Sequence, residues 1–295
     1  MAIFNLGSIN ADMFYKMERL PQPGETLAAQ DHSRGLGGKG ANQSVAVARA
    51  GSKVTHLGAV GVDGGWAVDI LSKTGVETRA VTLSDHPTGH AIIAVDAQGE
   101  NNIILWPGAN RHLSQNDIET GLASMAPDDT LLLQNETNGQ IIAAKLAHAK
   151  GARVIYSAAP FSVDSVQEIL PLVSLLIVNQ LEARQLSAAL NTDIQDIPVA
   201  GILITMGAKG AVFYDRPNKA KINVASPKVD AIDTTGAGDT FAGYFAAGLD
   251  QGQGIQQAME SAAAAAACKV TRHGTAEAIP TADEVLDFLK KHPSG

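Results

Sequence analysis

Short apolar segments alternate with helix-period segments along most of this chain of 295 residues. The helical segments Ala41–Ala50, Ala67–Lys73 and Gly139–Lys150 are each closed by a glycine, the residue favoured just beyond a helix C-terminus. The apolar segments with the length and composition of buried strands are Ala2–Leu6, Val54–Val60, Thr130–Leu133, Arg153–Ser157, Leu175–Val178 and Ile202–Thr205. This order of elements predicts an α/β fold, with a largely parallel sheet covered by helices on both faces.

Two regions interrupt the alternation. Residues 10–36 lack helical periodicity, and residues 88–106 contain two β-like segments around Asp96-Ala-Gln-Gly99, which is typical of a hairpin. We expect both regions to form a small antiparallel sheet, a flap that can cover a ligand. A further hairpin is predicted over Lys209–Val224, and Ile255–Val270 is predicted to be a helix. We therefore expect one domain over residues 1–295, with flap segments at approximately 10–36 and 88–106.

Residues 233–240 read Asp-Thr-Thr-Gly-Ala-Gly-Asp-Thr and carry the clearest chemical signal. The small residues Gly236, Ala237 and Gly238 leave backbone N–H groups uncovered ahead of a predicted helix, which is typical of a phosphate site. A carboxylate beside a phosphate repels it, so Asp239 is expected to take a proton from a hydroxyl that attacks the phosphate. The alternative is that Asp239 only caps the helix.

Composition narrows the classes of partner. The net charge of −8 argues against nucleic acid or an anionic membrane as the main partner. Residues 1–10 lack the features of a signal peptide, and no apolar run approaches the roughly 20 residues of a membrane span. We therefore expect a cytoplasmic protein that binds small molecules.

Residues 35–40 (Gly-Leu-Gly-Gly-Lys-Gly) match the dinucleotide pattern G-x-G-x-x-G, with Asp63 at a suitable distance beyond. A dinucleotide-binding oxidoreductase is therefore an alternative. Against it, the first strand ends near Gly7 instead of leading into these glycines, and Lys39 is not followed by the Ser or Thr of a P-loop. A sugar site fits better, because Gly38 permits close approach to the backbone and Asn42 can both donate and accept.

Polar residues follow several predicted strands, where open α/β sheets bind ligands. Asn10 and Asp12 follow the first strand, where they can bind vicinal hydroxyls or merely form a turn. Glu136 and Asn179 follow two others. Asn179 and Glu182 can organise the water shell of a Mg²⁺ ion held by phosphates, or can equally form a capping box. The turn over residues 205–210 suits nucleotide contact or a tight turn.

In combination, these motifs extend over nearly the whole chain. They comprise residues 7–12 (Gly-Ser-Ile-Asn-Ala-Asp), 23–26 (Pro-Gly-Glu-Thr), 37–43 (Gly-Gly-Lys-Gly-Ala-Asn-Gln), 107–110 (Pro-Gly-Ala-Asn), 179–182 (Asn-x-x-Glu), 205–207 (Thr-x-Gly), 233–240 and 270–274 (Val-Thr-Arg-x-Gly). In these motifs the chain resembles the ribokinase (pfkB) family of carbohydrate kinases. The resemblance implies a three-layer α/β/α fold and an ATP-dependent kinase that acts on a sugar's primary hydroxyl.

The resemblance also implies roles for individual residues. Asp239 would be the base, and the 236–239 amides (Gly236, Ala237, Gly238 and Asp239) would stabilise the transferring phosphoryl group. The sugar would be held by Asn10, Asp12, Gly38, Lys39, Asn42, Glu136 and Asp239. The nucleotide would be met by Asn179, Thr205, Gly207, Gly210 and Gly238. D-Ribose is the leading substrate expected, with a nucleoside, a ketose such as fructose or a sugar acid as alternatives.

Family members also bind metal ions and often dimerise through the flap. The resemblance implies Mg²⁺, with Asn179 and Glu182 acting indirectly, and a homodimer formed through the flap. It further implies a K⁺ site, formed by Asp233 and the carbonyls of Thr235, Lys269, Arg272 and Gly274. The chain departs from the family pattern in having Ala278 where a serine often completes that site, Ala263 beside the adenine position, and a short segment between Asn179 and Thr205. An alternative of a different class is a non-catalytic sugar-binding protein. Asp239 argues against it, because a protein that only binds sugar has no need for a carboxylate beside a phosphate.

Overall fold

The computed structural model describes residues 1–291, so the last four residues of the predicted 1–295 domain lie outside the described residues. The strands are β1 (Ile3–Leu6), β2 (Asn10–Lys16), β3 (Asp31–Gly37), β4 (Val54–Val60), β5 (Glu77–Leu83), β6 (Gly89–Val95), β7 (Asn101–Trp106), β8 (Thr130–Leu133), β9 (Arg153–Ser157), β10 (Leu175–Asn179), β11 (Gly201–Thr205), β12 (Ala211–Asp215) and β13 (Ala220–Val224). The α-helices are α1 (Lys39–Arg49), α2 (Gly65–Lys73), α3 (Gln115–Gly121), α4 (Gln140–Ala149), α5 (Val163–Ile169), α6 (Gln180–Leu190), α7 (Ala237–Asp250), α8 (Ile255–Val270) and α9 (Ala282–Lys291). Within residues 1–291, none of the helices is both long and apolar enough to cross a bilayer.

The main sheet has nine strands in the order β13-β12-β11-β10-β9-β8-β1-β4-β5. All pairings from β11 to β5 are parallel, and the β12–β13 hairpin adds two antiparallel strands at one edge. The predicted strands and the hairpin after residue 209 are confirmed. Sequence reasoning missed β5, because this edge strand mixes exposed polar residues such as Glu77 with half-buried apolar ones and presents no continuous apolar run.

Helices cover both faces of this sheet, as predicted. One buried apolar cluster unites α1, α2, α7, α8 and α9 with alternate strand residues, among them Ile3 and Leu132. A second cluster unites α3 to α6 with the intervening strand residues, including Phe4 and Leu131. Side chains on neighbouring strand positions point to opposite faces, so continuous apolar strands supply both cores.

A second, four-stranded sheet forms the predicted flap, in the order β3-β2-β6-β7. The expectation that it is wholly antiparallel is wrong for its central pair, since β2 and β6 are parallel. The reason is that β1 and β5 are parallel members of the main sheet, and the chain enters β2 and β6 directly after them. Both flap strands therefore leave the same edge of the main sheet in the same direction.

The flap also explains why the G-x-G-x-x-G pattern is not a dinucleotide site. Its glycines join β3, a flap strand that is antiparallel to β2, to the start of α1. A dinucleotide fingerprint instead connects a parallel strand of the main sheet to the following helix. The N-cap residue of α1, Gly38, has φ of 92°, a conformation that favours glycine.

Close packing of α1 against α7 positions polar residues of both helices. A side chain at Gly243 of α7 would meet the Cβ of Ala46 at 2.5 Å and the backbone oxygen of Gln43 at 2.7 Å. The absence of a side chain at Gly243 therefore lets the two helices approach closely. This approach brings Asn42 and Gln43 of α1 to Asp239 in the first turn of α7.

Candidate active site

The carboxyl ends of the parallel strands and the flap meet at one crevice, where most of the predicted residues are found. Asn10 and Asp12 lie on β2, not in a turn, and their alternate positions place them on one face of the flap. Glu136 follows β8, and Asn179 and Thr205 end β10 and β11. These elements place the candidate residues at the edge where α/β sheets bind ligands.

Asp239 lies at the centre of this crevice and its side chain is buried. One carboxylate oxygen accepts a hydrogen bond from Asn42 Nδ2 and the other from Gln43 Nε2, each at 3.1 Å. Helix α7 begins after Gly236, whose φ of 72° favours glycine and turns the chain into the helix. The alternative that Asp239 serves as the N-cap is therefore wrong, because Gly236 occupies that position.

The first turn of α7 also supplies the predicted amides. The Ala237 N–H donates to the Thr234 carbonyl at 3.2 Å. The next amides, those of Gly238 and Asp239, belong to the turn whose N–H groups have no acceptor within the helix. Gly238 is open toward two cavities, since a side chain there would meet no atom within 4 Å. Two amides without helical acceptors beside open space are suited to holding an anion.

A network of amide side chains, which sequence reasoning missed, fixes the orientation of Gln43. Gln134 Nε2 donates to Gln43 Oε1 at 2.7 Å and to Asn5 Oδ1 at 2.8 Å. With its oxygen occupied, Gln43 presents its NH₂ group to Asp239. The available signal was the position of Gln43 directly after Asn42 in the glycine-rich motif, whereas Gln134 carried no motif of its own.

The residues predicted to hold the sugar are also fixed by buried or partly buried hydrogen bonds. Asn110 Nδ2 donates to Asn10 Oδ1 at 2.7 Å, and Asn110 Oδ1 accepts from the Ile9 N–H at 2.9 Å. Glu136 accepts from the Ser8 hydroxyl and, at 3.0 Å, from the Lys39 N–H. Asn42 Oδ1 is buried and has no partner among the described residues. An acceptor in this state suits a ligand hydroxyl, because an unpaired buried polar atom is otherwise costly.

Asp12 lies in a buried and negatively charged part of the crevice. Burial, reinforced by the charges of Glu136, Glu277 and Asp239, raises the pKa of Asp12 to about 7. In the unfolded chain the same carboxyl has a pKa near its ordinary value of 3.8. Between pH 3.8 and about 7, the folded protein therefore holds a proton on Asp12 that the unfolded chain has released. The contribution of Asp12 to the free energy of unfolding therefore falls as the pH rises from about 4 to 7.

We predict that Asp12→Asn removes this pH dependence. The Tm of the variant should exceed that of the wild type at pH 7.5, and the difference should shrink towards pH 4, while sugar binding weakens. Asp63→Asn is the matched control, because the pKa of Asp63 is shifted in the opposite direction. Burial acts to raise this pKa, but the two hydrogen bonds from Thr88 outweigh burial and the pKa is lowered. That control should lose stability at neutral pH. Identical pH profiles of Tm for wild type and Asp12→Asn would contradict the assignment.

A cavity of about 210 Å³ lies beside the first turn of α7. It is lined by Lys39, Ser157, Ala159, Ile177, Val178, Asn179, Glu182, Thr205, Gly236, Gly238 and Asp239. The Asp239 carboxylate raises the pKa of Lys39 in spite of burial, which keeps this side chain cationic. The cavity thus combines a cation, backbone amides and a buried carboxylate.

Asn179 and Glu182 form a capping box at the start of α6. Asn179 Oδ1 accepts from the Glu182 N–H at 2.9 Å, and Glu182 Oε2 accepts from the Asn179 N–H at 2.7 Å. Both residues also line the 210 Å³ cavity, so capping and a role at the ligand are compatible. Burial raises the pKa of Glu182, while the Asn179 N–H and the Lys39 charge oppose that shift.

A larger apolar cavity of about 360 Å³ lies on the other side of Gly238. It contains the predicted residues Thr205, Gly207 and Gly210, together with Ala263. Sequence reasoning missed its remaining walls, which are supplied by residues 226–229, Ala231, Phe241, Ala266, Ala267 and Val270. The alanines of α8 thereby line an apolar cavity, whose volume suits an aromatic base.

The residues predicted for a monovalent cation are brought together, but they do not fit one. Asp233 accepts from the N–H groups of Thr235 and Gly274 at 2.9 and 3.0 Å. The ammonium of Lys269 donates to the Asp233 carbonyl at 3.1 Å and is fully buried. Arg272 directs its guanidinium to Glu284. The Lys269 carbonyl, a predicted ligand, accepts from the Arg272 N–H at 3.0 Å, and the expected K⁺ would also face the charge of the Lys269 ammonium.

Comparisons with known proteins extend over nearly the whole chain. The family model described as pfkB family carbohydrate kinase matches residues 2–282. A ribokinase of Haemophilus influenzae is 39% identical, with 97% of each chain covered. Two solved structures are similar: Cryptococcus neoformans ribokinase with ADP (TM-score 0.84, 34% identity, 97% and 99% of the two chains) and Arabidopsis thaliana ribokinase with ribose and ATP (TM-score 0.86, 30% identity, 98% of both). The shared region includes both sheets and the crevice between them.

Proposed function

The chain belongs to the pfkB family of carbohydrate kinases and is an ATP-dependent sugar kinase, and we propose that it phosphorylates D-ribose on its 5-hydroxyl. The observation that carries this proposal is the position of Asp239. Its carboxylate lies where the polar sugar-facing residues meet the amides of α7. This is the place where an acceptor hydroxyl and a phosphoryl group must meet.

Several contacts support a small polyhydroxylated sugar as the acceptor. Asn10, Asp12, Asn42 and Glu136 present amide and carboxyl groups from three different elements. Asn42 Oδ1 and the carboxyl of Asp12 would accept from sugar hydroxyls, and the backbone at Gly38 would lie against the ring. Sugars are recognised through several directed hydrogen bonds, so this density of fixed polar groups favours ribose over an apolar ligand.

In the proposed reaction, Asp239 accepts the proton of the sugar's primary hydroxyl while the hydroxyl oxygen attacks the γ-phosphorus of ATP. The new O–P bond forms while the bond to the β-phosphate oxygen breaks, and ADP departs with the electron pair. The Asn42 and Gln43 amides hold the carboxylate in place. The amides of Gly238 and Asp239 and the ammonium of Lys39 would stabilise the charge on the transferring group.

The nucleotide would extend from this junction into the 360 Å³ cavity. Thr205, Gly207 and Gly210 would flank its ribose and phosphates, with Asn179 nearer the transferring phosphate. The apolar walls, including Ala263, would receive the adenine ring. Alanine offers no side-chain hydrogen bond there, so discrimination between bases would depend on shape and backbone groups.

Mg²⁺ would be held mainly by the nucleotide phosphates. Among residues 1–291, no cluster of three or more His, Cys, Asp or Glu side chains has the arrangement of a metal site. Magnesium retains most of its waters and needs only one or two carboxylates, so the donor set fits this mode of binding. Glu182 and Asn179 would orient those waters, and the ion would neutralise charge on the phosphates.

An ADP-release assay over several acceptors tests the proposed function. The set comprises D-ribose, 2-deoxy-D-ribose, D-fructose, a sugar acid and a nucleoside, with a sugar-free reaction as the control for ATP hydrolysis. We expect the highest kcat/KM with D-ribose. A nucleoside or fructose as the best acceptor would overturn the substrate assignment, and turnover with none of them would overturn the kinase assignment for this chain.

We also propose that the protein forms a homodimer through the flap and acts in the cytoplasm, where ATP is available. The apolar residues Ile92, Ile104 and Trp106 share one face of β6 and β7 and are 39, 67 and 55% exposed. A contiguous exposed apolar patch of this kind marks an interaction surface.

We predict that Ile104→Lys converts this dimer to a monomer, because a charge would be buried in the apolar contact. Light scattering after size exclusion measures the mass directly. Leu286→Lys, at an exposed apolar position of α9, is the control and should remain dimeric. A monomeric wild type, or a dimeric Ile104→Lys variant, would argue against the flap as the interface.

A further inference from the structure

The most unexpected group near the candidate active site is the side chain of Lys269. It extends from the last turn of α8 and is completely buried. Its Nζ donates to the backbone oxygen of Asp233 at 3.1 Å and lies 4.0 Å from Asp233 Oδ1. Lysine is almost never fully buried without a partner, so this placement calls for a specific reason.

The surroundings of the ammonium are those that the family resemblance assigns to a K⁺ ion. The segment 232–233 is joined to α8 by hydrogen bonds from the N–H groups of Ile232 and Asp233 to the Val270 carbonyl. The Asp233 carboxylate accepts from Thr235 and Gly274. The ammonium therefore contacts the same turn that leads, three residues later, into the amides at the start of α7.

Two of the ligands expected for a separate cation are already engaged. The Asp233 carboxylate accepts two backbone hydrogen bonds, and the Lys269 carbonyl accepts from the Arg272 N–H at 3.0 Å. Ala278, which is buried, provides no oxygen where a hydroxyl would otherwise be available. A K⁺ ion beside the Lys269 ammonium would also meet the repulsion of a like charge in a poorly solvated position.

Carboxylates surround the Lys269 ammonium. Those of Asp233, Glu277 and Asp239 attract it and partly offset the effect of burial, which lowers the pKa of Lys269. Asp233 is the contacting partner, and Asp239 lies in the adjacent first turn of α7. The Lys269 ammonium is thus attracted by the Asp239 carboxylate, which receives the proton in the proposed reaction.

We propose that the Lys269 ammonium is a built-in replacement for the monovalent cation, so that this kinase works without K⁺. The inference rests on the proposed function. The ammonium fixes the 233–236 turn, which keeps the amides of Gly238 and Asp239 directed at the phosphoryl group. Lys269 is a positioning residue, because it acts through this turn and does not touch the substrate.

The test measures the initial rate with D-ribose and ATP in buffers containing K⁺, Na⁺ or only tetramethylammonium. For the wild type we expect equal kcat in all three. For Lys269→Ala combined with Ala278→Ser, which removes the ammonium and supplies a hydroxyl, we expect kcat to fall about ten-fold or more without K⁺ and to recover when K⁺ is added. Lys145→Met, on the far side of the main sheet, is the control and should behave as the wild type.

A wild type that is stimulated ten-fold by K⁺ would overturn the proposal, and so would a double variant that stays fully active in tetramethylammonium. The wild-type measurement decides the matter even where the double variant does not fold. Absence of turnover in every buffer would instead reject the proposed function. In that case the rise in Tm caused by ATP is compared with and without K⁺, and a rise that requires K⁺ in the wild type would overturn the role of Lys269 independently.

Discussion

Asp239→Asn is expected to lower kcat for ribose phosphorylation by about 10²- to 10⁴-fold, the range that a positioned general base contributes. The amide has almost the same size as the carboxylate but cannot take up the hydroxyl proton. Because the polar groups of Asn10, Asp12 and Glu136 remain in place, KM for ribose should change much less than kcat. Initial rates of ADP release at saturating ATP, measured over a range of ribose concentrations, give both constants.

The same substitution elsewhere on α7 provides the control. Asp250→Asn changes another buried aspartate on that helix, at the end distant from the crevice. It should retain the wild-type rate. The Tm of both variants must be followed, because the amide introduced by Asp239→Asn would turn an NH₂ group towards the donors of Asn42 or Gln43. Retention of most of the activity by a folded Asp239→Asn variant would contradict the role of this carboxylate as the base.

Gly238→Ala is expected to separate activity from stability. A methyl group at this position meets no protein atom within 4 Å, and alanine stabilises a helix relative to glycine by about 0.5 to 1 kcal/mol. The Tm should therefore stay the same or rise. The methyl group would, however, stand between the amides and the phosphoryl group, so kcat should fall about 10²-fold, as when one anion-hole donor is lost.

Gly65→Ala is the matched control for this variant, since Gly65 is the first residue of α2 and a side chain there also meets open space. In Gly65→Ala, the Tm should stay the same or rise, as expected for alanine in a helix, and kcat should not fall. Thermal melting and the ADP-release assay applied to both variants give the comparison. Equal rates for Gly238→Ala and the wild type would show that the phosphoryl group does not approach these amides.

Much of the architecture can be predicted from local patterns. The predicted bounds of β4, β8 and β9 match the observed ones, because continuous apolar runs between glycine-closed helices leave few alternatives. The strand β5 escapes detection because an edge strand, half exposed, has no such run. The parallel pairing of β2 with β6 depends on where two distant strands leave the main sheet, which no local pattern records.

The residues of the candidate site can be predicted where they belong to a recognisable sequence motif. Asp239, the glycines before it and the residues of the 37–43 motif are brought to one crevice, as expected. Gln134 was missed because its contribution is a hydrogen bond to Gln43 that exists only in the folded state. The ammonium of Lys269 was missed for a related reason. The sequence shows a lysine near a helix end, whereas its burial against Asp233 is a property of the packing.

The position of the phosphate on the product tests the central claim most directly, because Asp239 is proposed to act on one particular hydroxyl. The measurement is a phosphorus and proton NMR spectrum of the product formed from D-ribose and ATP by the wild-type protein. The account predicts a single product whose phosphorus couples to the two protons on C5, and no product from 5-deoxy-D-ribose. Phosphate on any other oxygen, or ADP formation without a sugar phosphate, would contradict it.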